Sequence, residues 1–171
     1  SGIPLVTQKT KGEKEVELED LEKLLKKAKT KHNIQGVVVG AIFSSYQRDR
    51  VDKICDKLGL KIFTPLWHMD QELLLKNILR EGWEVVVSSV AADGMDKNWL
   101  GRKLDTNMLK DLNILNQKVG LNVAGEGGEY ESLILNCPLF KKRLELVKAK
   151  KVMRDEHSGN FVVEKAKLSS D

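Results

Sequence analysis

Glycines and carboxylates alternate with unusual density in residues 125–132, which hold three glycines in four positions and three glutamates in six. Glycine permits positive φ and close approach of a ligand to the backbone. The glutamates could bind a cation, hold Mg²⁺ together with phosphates, or act as a base. The alternative is a hinge between two substructures with solvated acids. The candidates are Glu126, Glu129 and Glu131 for catalysis, and Gly127, Gly128 and Tyr130 for substrate binding.

A second candidate segment, residues 40–47, follows an apolar run and precedes a helix. Ligands of open α/β sheets bind beyond the carboxyl ends of the strands. A hydroxyl and the first N–H groups of a helix could hold an anion such as phosphate, and Arg48 could bind phosphate through two hydrogen bonds. An ordinary helix cap with a solvated arginine face is the alternative. The candidates for this anion site are Gly40, Ala41, Ser44, Tyr46 and Gln47, with Arg48 as a further candidate.

Other kinds of site find little support in the sequence. The two cysteines, Cys55 and Cys137, and three scattered histidines exclude a disulfide framework and a zinc site. The chain has no GxxxxGK[ST], GxSxG or HExxH motif. We therefore expect no resident metal held by protein side chains alone.

Composition predicts a protein with a packed core and a mildly basic surface. Of the 171 residues, 41% are hydrophobic, and 29 Lys and Arg face 25 Asp and Glu. This near balance does not favour a nucleic-acid partner. The longest apolar runs, of about five residues, are far below the roughly 20 that span a membrane, and no signal-peptide pattern occurs. We expect a cytoplasmic protein.

The elements that must position these residues alternate between apolar runs and amphipathic segments. Helices that end in glycine precede apolar residues at Gly59, Gly82 and Gly120, which predicts sharp helix-to-strand turns and βαβ units. Asp70 and Asp105 are predicted N-caps. Strands are expected at residues 3–6, 36–42, 60–63, 83–91, 133–135, 144–147 and 161–163, with a turn at 158–160.

This alternation predicts an α/β fold, a parallel sheet with helices on both faces, followed by a small β-rich C-terminal domain. The run at residues 36–42 is continuous enough to be a strand buried on both faces. The expected boundary divides residues 1–92 from residues 93–171.

Five segments in order resemble the diphthine–ammonia ligase family of N-type ATP pyrophosphatases: GAIFSSYQRDRV at 40–51, PLW at 65–67, LGR at 100–102, GEGGEYE at 125–131 and CPLFKK at 137–142. The resemblance implies a Rossmann-like fold of the adenine-nucleotide α-hydrolase kind, with residues 1–92 as the nucleotide-binding domain. The same resemblance implies that Gly40, Ala41, Ser44, Tyr46 and Gln47 bind the nucleotide and that Arg48 contacts substrate. It also implies a reaction in which ATP, with Mg²⁺, adenylates the diphthine carboxylate on a translation elongation factor. Ammonium then displaces AMP to give diphthamide.

The family's Ser-Gly-Gly-Lys-Asp-Ser pyrophosphate loop does not occur in this sequence. We therefore expect the 171 residues alone to be inactive, and an unpaired neighbouring strand to favour a homo-oligomer. The rival hypotheses are a non-catalytic nucleotide- or protein-binding module and another pyrophosphatase reaction, on a tRNA base or a small amine. The leading hypothesis requires Ser44 and Glu129 to face one shared cavity.

Overall fold

A computed structural model describes residues 1–12 and 16–169, without the side chains of Val16, Tyr46 and Gln47. In these residues, no helix has the length and apolar character needed to cross a membrane. The elements are α1 (Val16–His32), β1 (Gly36–Val38), α2 (Ser45–Leu58), β2 (Lys61–Phe63), α3 (Gln71–Arg80), β3 (Glu84–Ala91), α4 (Thr106–Val119), β4 (Tyr130–Asn136), β5 (Arg143–Met153) and β6 (Ser158–Ser169).

The chain divides into two compact units. The N-terminal unit is Ile3–Met69, and the C-terminal unit is Asp70–Asp171 with Ser1–Gly2. This division lies earlier than the boundary expected after residue 92. The reason is β3, which pairs with β4 and β6 and thereby joins the C-terminal sheet. An α/β protein with one parallel and one antiparallel sheet results.

The N-terminal unit contains a βαβ motif, as predicted. Strands β1 and β2 are parallel, with Val37 opposite Ile62, and α2 connects them. Leu25 of α1 and Cys55 of α2 are buried in one cluster, against which Val37 packs. Gly59 ends α2 with φ of 61°, and the Leu60 N–H donates to the Cys55 carbonyl at 2.8 Å. The expected glycine-terminated turn is therefore confirmed.

Three expectations for this unit are wrong: a strand at residues 3–6, a strand β1 buried on both faces, and helices on both faces of the sheet. Residues 3–6 form no strand, and Ile3 and Leu5 are exposed. Strand β1 is not buried on both faces, because side chains alternate between the faces of a strand and Val38 is 70% exposed. Phe63 of β2 is exposed as well, so in the described part of this unit the helices cover one face of the small sheet.

The C-terminal unit contains a four-stranded antiparallel sheet in the order β4-β3-β6-β5. The three strands expected after residue 130 are confirmed. The expectation that β3 continues a parallel sheet is wrong, since both of its neighbours are antiparallel. The turn expected at residues 158–160 is also wrong. These residues begin β6, and the turn comes earlier, where Asp155 accepts hydrogen bonds from the His157 N–H and the Ser158 hydroxyl.

Helices α3 and α4 begin at the predicted caps. Asp70 accepts from the Leu73 N–H and Asp105 from the Met108 N–H, each at 2.7 Å. Gly120 ends α4 with φ of 74°, and the chain then enters a loop and not the strand that its turn predicted. The core of this unit includes Leu75 of α3 and Leu112 of α4. Leu121, directly after Gly120, and Tyr130 at the start of β4 belong to the same core, so both ends of the loop between them are attached to packed elements.

The segment at residues 100–102, part of the resemblance, lies beside β3. The Gly101 N–H donates to the Val87 carbonyl at 2.8 Å, and the Val87 N–H donates to the Arg102 carbonyl at 3.0 Å. A Cβ at position 101 would lie 2.8 Å from the Phe161 ring. Close packing on β6 therefore requires glycine here.

Candidate functional site

The glycine loop, residues 121–129, connects α4 to β4 and contains most of the acidic candidate site. Its last residue, Glu129, is partly buried, and the Glu129 carboxylate contacts earlier residues of the same loop. Oε1 accepts from the Asn122 N–H at 3.0 Å and from the Asn122 side-chain amide at 2.6 Å. Oε2 accepts from the Gly127 N–H at 2.8 Å. Glu129 therefore closes the loop by joining its beginning to its centre.

The environment of Glu129 favours its charged form. Burial alone would raise the pKa of this carboxyl, because it removes the charge from water. The hydrogen bonds from Asn122 and Gly127, together with the N–H of Glu129 itself, outweigh burial and lower the pKa below its usual value. At neutral pH, Glu129 is an ionised hydrogen-bond acceptor.

Gln71, the first residue of α3, is a further partner that the sequence analysis missed. Its Oε1 accepts from the Ala124 N–H at 2.8 Å, and its Nε2 donates to the Asn122 Oδ1 at 3.3 Å. Sequence separation hides this contact, since Ala124 lies 53 positions after Gln71. The only local signal is its place directly after the predicted N-cap Asp70.

Backbone N–H groups of the glycine loop donate to acceptors in the loop itself or to Gln71 of α3. Gly125 donates to the Asn122 carbonyl at 2.9 Å, and Gly128 donates to the Gly125 carbonyl at 3.0 Å. Gly127 and Ala124 donate to Glu129 and Gln71. Phosphate-binding loops instead direct such N–H groups at the anion. This loop therefore has a different hydrogen-bond arrangement despite its glycine content.

The remaining glutamates of the candidate site face solvent. Glu126 and Glu131 are exposed, and neither makes an ion pair or a side-chain hydrogen bond with any residue that the structure describes. Gly127 and Gly128, predicted to bind substrate, are exposed beside Glu126. Two unpaired carboxylates next to an exposed backbone suit a cationic group better than an anionic one.

Tyr130, also predicted to contact substrate, lies in the core. It is 9% exposed, and its hydroxyl donates to the Val123 carbonyl at 2.7 Å. Burial raises the pKa of this phenol, and the negative charge of Glu129 adds to the shift. The geometry shows Tyr130 holding the loop at β4, and its contact with substrate stays a prediction.

Close packing explains two of the loop's glycines. A Cβ at Gly125, where φ is 75°, would lie 2.9 Å from the Tyr130 carbonyl oxygen. A Cβ at Gly127 would lie 2.6 Å from the Glu129 Oε1. Both positions are next to the groups that close the loop, so glycine here serves the hydrogen-bond network directly.

In the N-terminal unit, residues 40–48 run from the end of β1 into α2. Ala41 and Ile42 are buried, while Gly40 has open space where a Cβ would be. The Ser44 carbonyl accepts from the Arg48 N–H at 3.1 Å, in the first turn of α2. The structure does not describe the side chains of Tyr46 and Gln47. The predicted nucleotide-binding role of this segment stays a prediction.

Arg48 lies against one end of an aromatic group, Trp67, His68 and Phe43, that residue spacing alone did not indicate. Its guanidinium lies 4.7 Å from the centre of the Trp67 ring. The His68 ring is 4.7 Å from Trp67 and 5.6 Å from Phe43. The backbone of His68 has φ of 58°, and its N–H donates to the Ile42 carbonyl at 2.9 Å. The segments after β1 and β2 therefore meet, as parallel strands require.

The two groups of candidate residues belong to different units, Gly40 to Arg48 in one and Glu126 to Glu131 in the other. A cavity shared by Ser44 and Glu129 stays a prediction. Among the described residues, no three His, Cys, Asp or Glu side chains are grouped so that they could hold a metal ion.

Family models match nearly the whole chain. The model of the diphthamide synthase N-terminal domain matches residues 1–62, and that of the diphthamide synthase C-terminal domain matches residues 70–169. The chain belongs to the diphthamide synthase family. The C-terminal match begins at residue 70, where the C-terminal unit also begins, and the N-terminal match lies almost entirely within the other unit.

Curated relatives carry the name diphthine–ammonia ligase. The Schizosaccharomyces pombe protein is 45% identical over 147 residues, which cover 85% of this chain and 24% of that protein. The Mus musculus protein is 44% identical over 80% of this chain and 51% of its own length, and the Homo sapiens protein 45% identical over 75% and 48%. The chain thus spans about half of these mammalian relatives and a quarter of the yeast one.

Proposed function

We propose that this protein acts in diphthamide biosynthesis as an ATP-dependent diphthine–ammonia ligase. A free carboxylate cannot form an amide directly, because oxide is a very poor leaving group. Attack of the diphthine carboxylate on the α-phosphate of ATP would form an acyl-adenylate and release pyrophosphate. Ammonia would then attack the acyl carbon, and AMP would leave with the bonding electrons. Family membership and the name of the relatives support this reaction.

The observation that carries the proposal is the chemistry of the glycine loop and of Glu131, which follows it in β4. Its N–H groups at 124, 125, 127 and 128 are occupied, while Glu126 and Glu131 are exposed and unpaired among the described residues. Such a surface would attract ammonium or a cationic diphthine side chain. Ammonium must lose a proton before its nitrogen can attack, and an exposed carboxylate next to it could accept that proton.

The nucleotide would bind in the N-terminal unit, which we propose to be part of an adenine-nucleotide α-hydrolase-like domain. Residues 40–47 follow the end of β1, where ligands of α/β sheets bind. Arg48 would contact phosphate while Trp67 holds its guanidinium in place. Mg²⁺ would accompany the phosphates of ATP. No described side-chain cluster fits a metal on its own, so we assign no step to Mg²⁺.

The proposal also specifies partners and setting. The protein substrate would be a translation elongation factor that carries diphthine, and the reaction would take place in the cytoplasm. A homo-oligomer would fit the exposed apolar side chains of Val38 and Phe63, which lie on one face of the N-terminal sheet.

The test is an amidation assay with the full-length protein, ATP, ammonium and an elongation factor bearing diphthine. Mass spectrometry would follow the conversion of acid to amide, and chromatography would follow AMP. Replacing Glu126 with Gln, or Glu131 with Gln, should raise the KM for ammonium or slow amide formation by about tenfold or more. Lys118→Gln, on an exposed part of α4, is the control.

Three results would count against the proposal. Absence of amidation under saturating ATP would remove the ligase activity, and unchanged kinetics in both glutamate variants would remove the acceptor site. Tight calorimetric binding of ATP without turnover would favour the non-catalytic binding module.

A further inference from the structure

We infer that Gln71, Asn122 and Glu129 form a positioning clamp that holds the glycine loop, and that Glu129 is not a catalytic base. The inference deepens the proposed function and rests on it for the identity of the reaction. It assigns Gln71 and Asn122 a role in positioning the glycine loop, and it changes the role expected for Glu129. The carboxylates that contact substrate are then Glu126 and Glu131.

The first argument is that both carboxylate oxygens of Glu129 already have donors. Oε1 accepts two hydrogen bonds from Asn122, at 2.6 and 3.0 Å, and Oε2 accepts one from Gly127 at 2.8 Å. A general base needs an oxygen directed at the proton that it removes. An acceptor held by charge-assisted bonds to its own loop serves structure, since such bonds are about twice as strong as neutral ones.

The second argument is that the clamp is attached to a rigid element. Gln71 is the first residue of α3, directly after the N-cap Asp70, whose carboxylate accepts from Leu73. Leu75 anchors the same helix in the core. The Gln71 side chain contacts both Ala124 and Asn122. The position of the loop is therefore set by α3 as well as by its own ends.

The third argument is that two side chains of the clamp hold backbone on either side of Glu126, while the Asn122 side chain joins these two to each other. Gln71 holds Ala124, two residues before Glu126, and Glu129 holds Gly127, the next residue. The Glu126 side chain is exposed and makes no hydrogen bond or ion pair with the residues that the structure describes. Its position relative to bound substrate therefore depends on the clamp.

The test uses three variants that remove different parts of the clamp. Gln71→Leu removes both hydrogen bonds of Gln71, while Gln71→Glu keeps the acceptor for Ala124 and loses the donor to Asn122. Glu129→Gln keeps one acceptor oxygen, for Asn122, and puts an NH2 group in place of the oxygen that accepts from Gly127. Glu72→Gln is the matched control, since Glu72 is the next residue of α3 and pairs only with Lys76 in the described structure.

The first measurement is amide hydrogen exchange of this chain, followed by NMR or mass spectrometry. Exchange at Ala124 and Gly127 should become about tenfold faster in Gln71→Leu and Glu129→Gln, with Gln71→Glu between them and wild type. Exchange at Leu112 in the core should not change, which shows that each variant is folded. Unchanged exchange at Ala124 and Gly127 in folded variants would overturn the clamp.

The second measurement is the kinetics of amidation in the full-length protein. The clamp predicts a lower kcat/KM for ammonium, an unchanged KM for ATP, and a pH profile of wild-type shape in Glu129→Gln. Loss of the acid limb of that profile would instead identify Glu129 as the base and overturn our assignment. If exchange in the loop is faster in the variants but the wild-type protein shows no amidation, the inferred clamp is supported and the proposed reaction is rejected.

Discussion

At the scale of single residues, the glycine loop depends on small groups that leave room for Glu129. Gly127 illustrates this, because its own N–H donates to the carboxylate that a Cβ would displace. The nearest atoms to that Cβ would be the Glu129 Oε1 at 2.6 Å and the Asn122 Nδ2 at 2.9 Å. Both atoms belong to side chains that can move. An added Cβ would therefore leave the backbone in place but break the hydrogen bonds that Glu129 makes with Asn122 and Gly127.

Gly127→Ala should therefore lower the free energy of unfolding by about 1–3 kcal/mol, the cost of leaving partly buried polar groups without partners. Urea denaturation measures this difference. Glu126→Ala is the control, since Glu126 is exposed and its change should remain within about 0.5 kcal/mol. Equal stability of Gly127→Ala and wild type would mean that the network contributes nothing.

The lowered pKa of Glu129 makes a second prediction at this scale. A carboxyl whose pKa is lower in the folded than in the unfolded chain stabilises the fold above its unfolded pKa, about 4.3. This contribution decreases as pH falls through the folded value. The difference in stability between wild type and Glu129→Gln should thus be largest above about pH 5. Chemical denaturation between pH 3 and 7 tests it, and a difference independent of pH would contradict it.

At the scale of elements, the start of α4 shows how a local signal sets the beginning of a helix. Asp105 has an extended backbone with φ of −146°, and its carboxylate accepts from Met108 at 2.7 Å. Asp105→Ala should destabilise the C-terminal unit by about 1 kcal/mol, whereas Asp105→Asn should retain most of the stability because it keeps an acceptor. Thermal unfolding of both variants would decide this. Equal loss in the two variants would show that the cap acts through charge alone.

Local chemistry explains what the sequence could predict. The caps at Asp70 and Asp105 and the turn at Gly59 depend on neighbours within five residues, so residue types alone indicate them. The antiparallel pairing of β3 was not predictable, because its partners begin about 40 and 70 residues further on. The same holds for Gln71, whose partner Ala124 is brought close only by the packed fold.

The candidate site follows the same pattern. Residue types indicated the glycine loop and its acids, but they could not separate Glu129 from Glu126. The two differ in hydrogen bonding and exposure and not in chemistry. Likewise, Trp67 and Arg48 are 19 positions apart, and only the parallel pairing of β1 and β2 brings them together.

At the scale of the whole molecule, the two units differ in how much core each possesses. The C-terminal unit has a continuous cluster that runs from Leu75 to Tyr130 and includes the fully buried Leu100 and Leu112. Among the residues of the N-terminal unit that the structure describes, the hydrophobic cluster has four buried members, and Phe43, Val38 and Phe63 are exposed. Since stability grows with the apolar area removed from water, the units should differ in stability.

We expect residues 70–171, expressed alone, to fold into a cooperative unit with dispersed amide resonances and a single urea transition. Residues 3–69 alone should unfold at a lower urea concentration or associate, because a core of this size contributes little above the conformational entropy of so short a chain. NMR and analytical ultracentrifugation of both fragments measure this. A fragment 3–69 that is monomeric and as resistant to urea as fragment 70–171 would show that the small cluster around Cys55 is sufficient, and that exposed apolar side chains such as Phe63 need no cover.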